Sequence, residues 1–357
     1  MHMADALISP MVGGIMWTAT AGLTVYSAKK LKESHNDRLA PLMGVLGAFI
    51  FAAQMINFTI PATGSSGHLG GGMILAILLG PHAAFLTMAS ILTVQALFFA
   101  DGGLLALGCN IFNLGFFPCF IAYPFLYKSI TGGRSDRGRI IWGAMAASII
   151  GLQLGAFGVV LETIFSGISE LSFGSFLILM QPIHLAIGVV EGIVTAAVVI
   201  FVWKARPEIL EMATTSKAIS HLNIKNVLAG FLVVTAITGG ILSWFASTHP
   251  DGLEWSISRV SGQEELKAPE KGVHTMLAAL QQKTAFLPDY GFKKTDEKEG
   301  PAKSGADEAA AKSGRGKEAD WPAVSAGTSG SGLVGGAMTL ILVVLIGVTL
   351  RRFQPKE

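Results

Sequence analysis

The first two residues, Met1 and His2, carry three nitrogens that a single metal ion can share: the α-amino group, the His2 amide and the His2 Nδ1. Bound together they close two fused chelate rings and occupy three corners of a plane, leaving the fourth open to another imidazole. His68 is the best placed donor, because it is flanked by glycines in GSSGHLGGG, a backbone free to bend toward the N-terminus. Four nitrogens in a square plane suit Ni(II) or Cu(II); a deprotonated amide is a strong-field donor that favours a d8 ion, and Co(II) is taken less comfortably. Against this stand two plainer readings, an accidental second-place histidine and a merely solvated loop histidine. Their placement on one side of a membrane, argued below from charge, joins them into a candidate site. Histidine is too large to permit the usual removal of an initiator methionine, so Met1 is expected to persist as the first residue.

Other chemistry-bearing residues are less promising as metal ligands. His35 and His221 fall in basic loops, His82 at a helix break, and His249 and His274 in a polar segment far down the chain. His184 shares an apolar stretch with Gln181 and Glu191, where a structural hydrogen bond is the expected role. Glu162, Glu191 and Asp101 are the acids an ion pathway would use, since ionisable groups inside a membrane usually mark such routes. Cys109 and Cys119 lie in one apolar segment at a spacing that fits neither a CxxC pair nor a zinc site, so they read as buried thiols.

What must position these residues is a bilayer. Of 357 residues, 51% are hydrophobic and only 14% charged, with a mean hydropathy of +0.55, whereas a soluble domain carries about 25% charged residues. A net charge of +2 without a basic, aromatic-interleaved stripe argues against nucleic acid. The N-terminus lacks the basic region of a signal peptide. No G-x-x-x-x-G-K-[ST] phosphate loop occurs, nor any nucleophile–base set or zinc-protease signature, so neither ATP hydrolysis by that route nor another enzyme activity is expected.

Apolar stretches long enough to span occur at 11–28, 41–60, 104–127, 140–163, 179–203, 227–246 and 333–350. The stretch 69–100 is long for one crossing and short for two. Basic loops at 29–38, 128–139 and 204–225, and the basic end RRFQPKE, belong in the cytoplasm. They share a side only if 69–100 crosses twice, hinged near Gly80-Pro81-His82. That predicts seven spans before residue 205 and two after it, with the N-terminus, the His68 loop and residues 247–332 outside. Within that last segment, KEGPAKSGADEAAAKSGRGKEADW reads as a solvated tether. Gly14, Thr18 and Gly22 form a small-residue stripe on the first span, fit either for packing inside the bundle or for meeting a partner helix.

MHMADALISP, SSGHLGGG, the Gly80-Pro81 pair and QALFFADGGLLALGCNIFNLG together resemble the substrate-capture (S component) subunit of nickel/cobalt energy-coupling-factor transporters. HPDGLEWS and LPDYGF, lying between the last two spans, resemble the small PDGLE-type accessory subunit of the same systems, here on the same chain. The resemblance implies an all-α membrane protein: a seven-helix capture domain at 1–205, a cytoplasmic linker at 206–226, and a two-span accessory domain at 227–357 with an outer segment at 247–332. It implies a metal held by the Met1 amine, the His2 amide and imidazole, and His68. It further implies a prokaryotic plasma-membrane transporter subunit that binds Ni(II) or Co(II) as substrate, needs no prosthetic group, and works with a coupling membrane subunit and separate ATPases. The accessory half carries no complete metal site and is read as acting on transport rather than on capture. An ion-coupled secondary transporter of a divalent metal is the competing expectation.

Overall fold

The computed structural model describes residues 2–33, 39–132, 136–215, 224–263, 266–293 and 321–352. Met1, His35, His221 and nearly all of the tether lie outside the described residues. The chain is mostly helical. Among the described residues five helices are long and apolar enough to cross a membrane, Pro81–Phe99, Leu107–Thr131, Arg137–Ser166, Phe173–Ala205 and Ala326–Leu350, and two shorter apolar helices accompany them.

Helix α1 (Pro10–Glu33) starts on a proline, whose fixed φ and missing N–H cost nothing at a helix start. Helix α2 (Leu39–Gln54) is buried over almost its whole length, as its all-round apolar sequence requires. It stops short of the expected 60 because Phe58–Ile60 (β1) pairs antiparallel with Ser65–Gly67 (β2), opposing Phe58 to Gly67 and Ile60 to Ser65. Next come α3 (Gly72–Leu79) and α4 (Pro81–Val94), which runs on in wider π turns over Gln95–Phe99.

The expected break is at Gly80, whose φ of 79° lies where a side chain is disfavoured and whose Pro81 opens the next helix. The two pieces are unequal, however. At 1.5 Å per residue α3 is only about 12 Å long, because residues 65–71 go to the hairpin and to a pinned loop instead of helix. Beyond it, α5 (Leu107–Ile111) widens into π turns over Phe112–Tyr127 before α6 (Lys128–Thr131). Pro118 and Pro124 inside that stretch remove two amide donors and crowd the preceding turn, which the wider winding relieves.

The long helices α7 (Arg137–Ser166) and α8 (Phe173–Ala205) pack along each other, and short α9 (Pro207–Thr215) closes the capture half. Helices α10 (Lys225–Gly240) and α13 (Ala326–Arg352) seat on α2, while α11 (Gly252–Ser261) and α12 (Val273–Thr284) lie in the segment between them. α10 and α13 come close at Gly239 and Gly332, where a Cβ on Gly332 would stand 2.4 Å from the Gly239 oxygen. The small-residue stripe of α1 does not pack inside: nothing lies within 4 Å of a Cβ placed on Gly14 or Gly22. Cys109 and Cys119 are buried free thiols.

Candidate metal centre

The N-terminal segment is threaded into the bundle rather than left in solvent. Met3 and Ile8 are fully buried. The Met3 amide donates to Asn110 Oδ1 at 2.8 Å, the Asn110 amide returns a bond to the Met3 carbonyl at 3.2 Å, and Asp5 Oδ1 accepts from the Ala106 amide at 2.9 Å. His2 therefore enters a defined place, with its side chain only 7% exposed.

The loop after β2 brings His68 to the same place. The two imidazoles stack with centroids 4.9 Å apart and planes 20° from parallel. His68 Nδ1–H donates to the Leu69 carbonyl at 3.0 Å, which makes Nε2 the basic nitrogen of the neutral ring. Burial, aided by the nearby His2, holds the His68 imidazole down at about 3, so it stays neutral at physiological pH, as a metal ligand must.

The loop itself is fixed from below by Glu191, which is 2% exposed. Its Oε2 accepts from the Gly70 amide at 2.7 Å and its Oε1 from the Gly71 amide at 3.0 Å. An acceptor pair thus meets the two amides that lead into α3, at the end where the helix dipole favours negative charge. Gln54 adds a bond to the Gly70 carbonyl at 2.8 Å. The other acid of the sequence reading, Glu162, is also engaged, accepting from Asn113 at 2.7 Å. His184 has the structural role expected of it, donating from Nδ1 to the Met180 carbonyl at 2.8 Å.

His2 differs from expectation in one atom. The Nδ1 that a planar chelate needs is instead 2.8 Å from Asp101 Oδ1, and Nε2 is buried without a hydrogen-bond partner. Burial alone would raise the Asp101 carboxyl, but the charge and hydrogen bond of His2, together with the Tyr290 hydroxyl, bring it down to about 2. Chelation through Nδ1 requires the ring to turn away from this contact. Among the described residues no group of three or more His, Cys, Asp or Glu side chains is arranged to hold a metal. The donor set expected from sequence draws on main-chain nitrogens as well as on two imidazoles, and Met1 falls outside the described residues.

The outer segment covers this place at several points. Ser66 donates from its amide to the Pro250 carbonyl at 2.8 Å and from its hydroxyl to the His249 carbonyl at 2.8 Å, so 249–251 extends the hairpin edge. Asp251 caps α11 by accepting from the Leu253 and Glu254 amides, both at 2.8 Å, and Glu254 bonds back to the Asp251 amide at 3.1 Å. Trp255 Nε1 donates to the Thr63 carbonyl at 3.0 Å. On the other side, buried His274 donates from Nε2 to the Ile8 carbonyl at 2.9 Å, and Gln281 donates to the Gly102 carbonyl at 2.7 Å. A cavity of about 640 Å³ is left between them, lined by His2, His68, Asp101, Glu254, His274 and Tyr290.

Sequence reasoning did not attach any of these outer residues to the site. One signal was present: Asp251-Gly-Leu-Glu254 ahead of an apolar turn is the capping-box pattern, and it fixes the start of α11 beside the His68 loop.

Comparison with known proteins agrees with this architecture. Residues 2–209 match the model of the cobalt uptake substrate-specific transmembrane region, and residues 225–352 match the PDGLE domain. The fused nickel transport protein NikMN of Rhodobacter capsulatus is 31% identical over 315 residues, covering 81% of this chain and 88% of that one. The putative fused nickel transport protein NikMN of Archaeoglobus fulgidus is 38% identical over 218 residues, covering 59% of this chain and 68% of the relative. A crystal structure of a truncated transition metal transporter, 28% identical, superimposes with a TM-score of 0.51 over 57% of this chain and 99% of that one.

Proposed function

We propose that this chain, which belongs to the cobalt-uptake substrate-specific transmembrane family and carries a fused PDGLE domain, captures a divalent transition metal at its outer face for uptake. The observation that carries the reading is the stacking of His2 on His68 at 4.9 Å inside the covered cavity. Its ligands are the Met1 amine, the His2 amide and imidazole, and His68. Ni(II) is preferred over Co(II), because nitrogen donors in a plane favour a d8 ion. Fused relatives are named nickel transport proteins and others that match the capture half cobalt transport proteins, so the preference for Ni(II) rests on the donor set. The metal is cargo; no prosthetic group is involved.

Lacking a phosphate loop, the chain takes its energy from partner ATPases through a coupling membrane subunit, as the substrate-binding component of an energy-coupling-factor transporter. The outward face of α1 at Gly14, Thr18 and Gly22 is small enough to let that subunit approach closely. The ion-coupled alternative depended on intramembrane acids, and Glu191 and Glu162 are both already engaged by neighbouring donors. The capture domain occupies 1–205 with seven crossings, α3 a short one. A cytoplasmic linker follows at 206–226, and the accessory domain at 227–357 adds two crossings. The N-terminus is outside and the C-terminus in the cytoplasm of a prokaryotic plasma membrane. Titration calorimetry of the purified full chain with Ni(II) and Co(II) tests the site. His2→Ala and His68→Ala should each abolish tight binding, and near-wild-type affinity in either variant removes that residue from the ligand set.

A further inference from the structure

The chain is gripped one residue behind the proposed donors. Met3 is fully buried, and one side chain pairs with both of its main-chain polar groups. The Met3 amide donates to Asn110 Oδ1 at 2.8 Å, and Asn110 Nδ2 donates to the Met3 carbonyl at 3.2 Å. The Gly103 amide donates to the same carbonyl at 2.9 Å. The turn can close this tightly because Gly102 stands at a φ of 81° and has no side chain. A Cβ there would lie 2.8 Å from Asn110 Nδ2 and 3.4 Å from His2 Cβ.

The chemistry asked of position 110 is narrow. An N–H must find an acceptor and a carbonyl a donor, and a primary amide carries both on one carbon. Asn110 is 2% exposed, so burial keeps its amide on Met3 rather than on water. The helix beneath it, α5, is fastened to α1. The Thr20 hydroxyl donates to the Gly108 carbonyl at 2.9 Å, and Trp17 Nε1 donates to the Leu104 carbonyl, just ahead of α5, at 3.0 Å.

We infer that Asn110 is a positioning residue that sets the register of the chain end, so that the two residues ahead of Met3 meet His68. The inference rests on the reading of Met1, His2 and His68 as metal ligands and deepens it. Two of the four proposed donors are main-chain nitrogens, and a clamp on the main chain is what places them. It leaves the side-chain torsions of His2 free, so the ring can turn from Asp101 and present Nδ1 while the backbone keeps its place. A slip of one residue would carry the donors about 3.5 Å along the chain. That exceeds a whole metal–imidazole bond of about 2 Å, so His68 and the chelate could no longer share one ion.

The test uses the purified full chain with its native first two residues, titrated with Ni(II) and followed by calorimetry and by the d–d absorption of the bound ion. A glycine inserted between His2 and Met3 keeps the amine, the His2 amide and both imidazoles, and it lies ahead of every residue the clamp holds. Affinity should nonetheless fall to that of His68→Ala, and the two variants should share one altered spectrum. A merely structural role for Asn110 predicts no such change, because the clamp itself is untouched. Asn110→Asp keeps an acceptor for the Met3 amide but sets a carboxylate oxygen against its carbonyl. Ni(II) binding should weaken about 10- to 100-fold. If His2→Ala loses Ni(II) while the insertion keeps wild-type affinity and spectrum, the register role is overturned and the ligand reading stands. Wild-type affinity and spectrum in Asn110→Asp overturn the assignment to Asn110. If His2→Ala binds as the wild type does, the ligand reading falls and takes the inference with it. Should Asn110→Asp fail to fold, the insertion alone decides.

Discussion

Replacing Glu191 by glutamine probes whether the His68 loop is held from beneath. Glu191 is 2% exposed and offers one oxygen to the Gly70 amide at 2.7 Å and the other to the Gly71 amide at 3.0 Å. Glutamine fits the same volume but keeps a single carbonyl; its NH2 group then faces a backbone N–H, donor against donor. The variant loses one charge-assisted hydrogen bond and leaves a buried donor unpaired, which together cost about 2–4 kcal/mol. That cost divides between the order of the loop and the affinity for the metal it presents. With half of it on affinity, and about 1.4 kcal/mol per decade, Ni(II) binding weakens about 5- to 30-fold. Calorimetric titration in detergent, beside a thermal melt of the metal-free protein, measures both shares. A Glu191→Gln variant with an unchanged melting temperature and Ni(II) affinity within twofold of wild type would refute the argument that this acid anchors the loop.

Further outcomes are expected elsewhere on the chain. One residue added before Met1, or acetylation of its amine, should destroy tight Ni(II) binding, while the same tag after Glu357 should not; equal metal content in the two tagged forms disproves the chain-end chelate. Ni(II) affinity should fall as pH drops, because the amine and amide must lose protons to bind; a flat profile between pH 8 and pH 6 contradicts main-chain ligation. Asp251→Ala removes the cap of α11, which should lower stability by about 1 kcal/mol, seen as an earlier thermal transition; no shift would show the cap to be dispensable.

Much of the frame was legible in the sequence because it is written locally. The break near Gly80-Pro81-His82 follows from backbone restriction at two adjacent residues, and it sits where charge parity placed it. The meeting of His2 and His68 was legible by a longer route, since loop charges put both on one side of the membrane. The shortness of α3 was not, because it depends on Glu191 drawing Gly70 and Gly71 out of helix, and main-chain amides leave no mark in a residue pattern. Asp101 was visible only as an acid at a span end; its partner Tyr290 is 189 positions away, and nothing in either local sequence names the other. The same holds for His274, which the sequence places only in the polar outer segment and which is buried against Ile8.

The seating of α10 and α13 on α2 has a kinetic consequence for the cover above the cavity. A separate accessory subunit would have to find the capture domain in the plane of the membrane, and its occupancy would follow its expression level. Covalent attachment replaces that search with a local concentration on the order of millimolar. Contacts as modest as Ser66 to Pro250, Trp255 to Thr63 and Gln281 to Gly102 then suffice to keep the cavity covered. Each can break and re-form without the cover diffusing away, so under the proposed capture role an ion in the cavity would be enclosed by a tethered, reversible latch present in equal number with the site it serves.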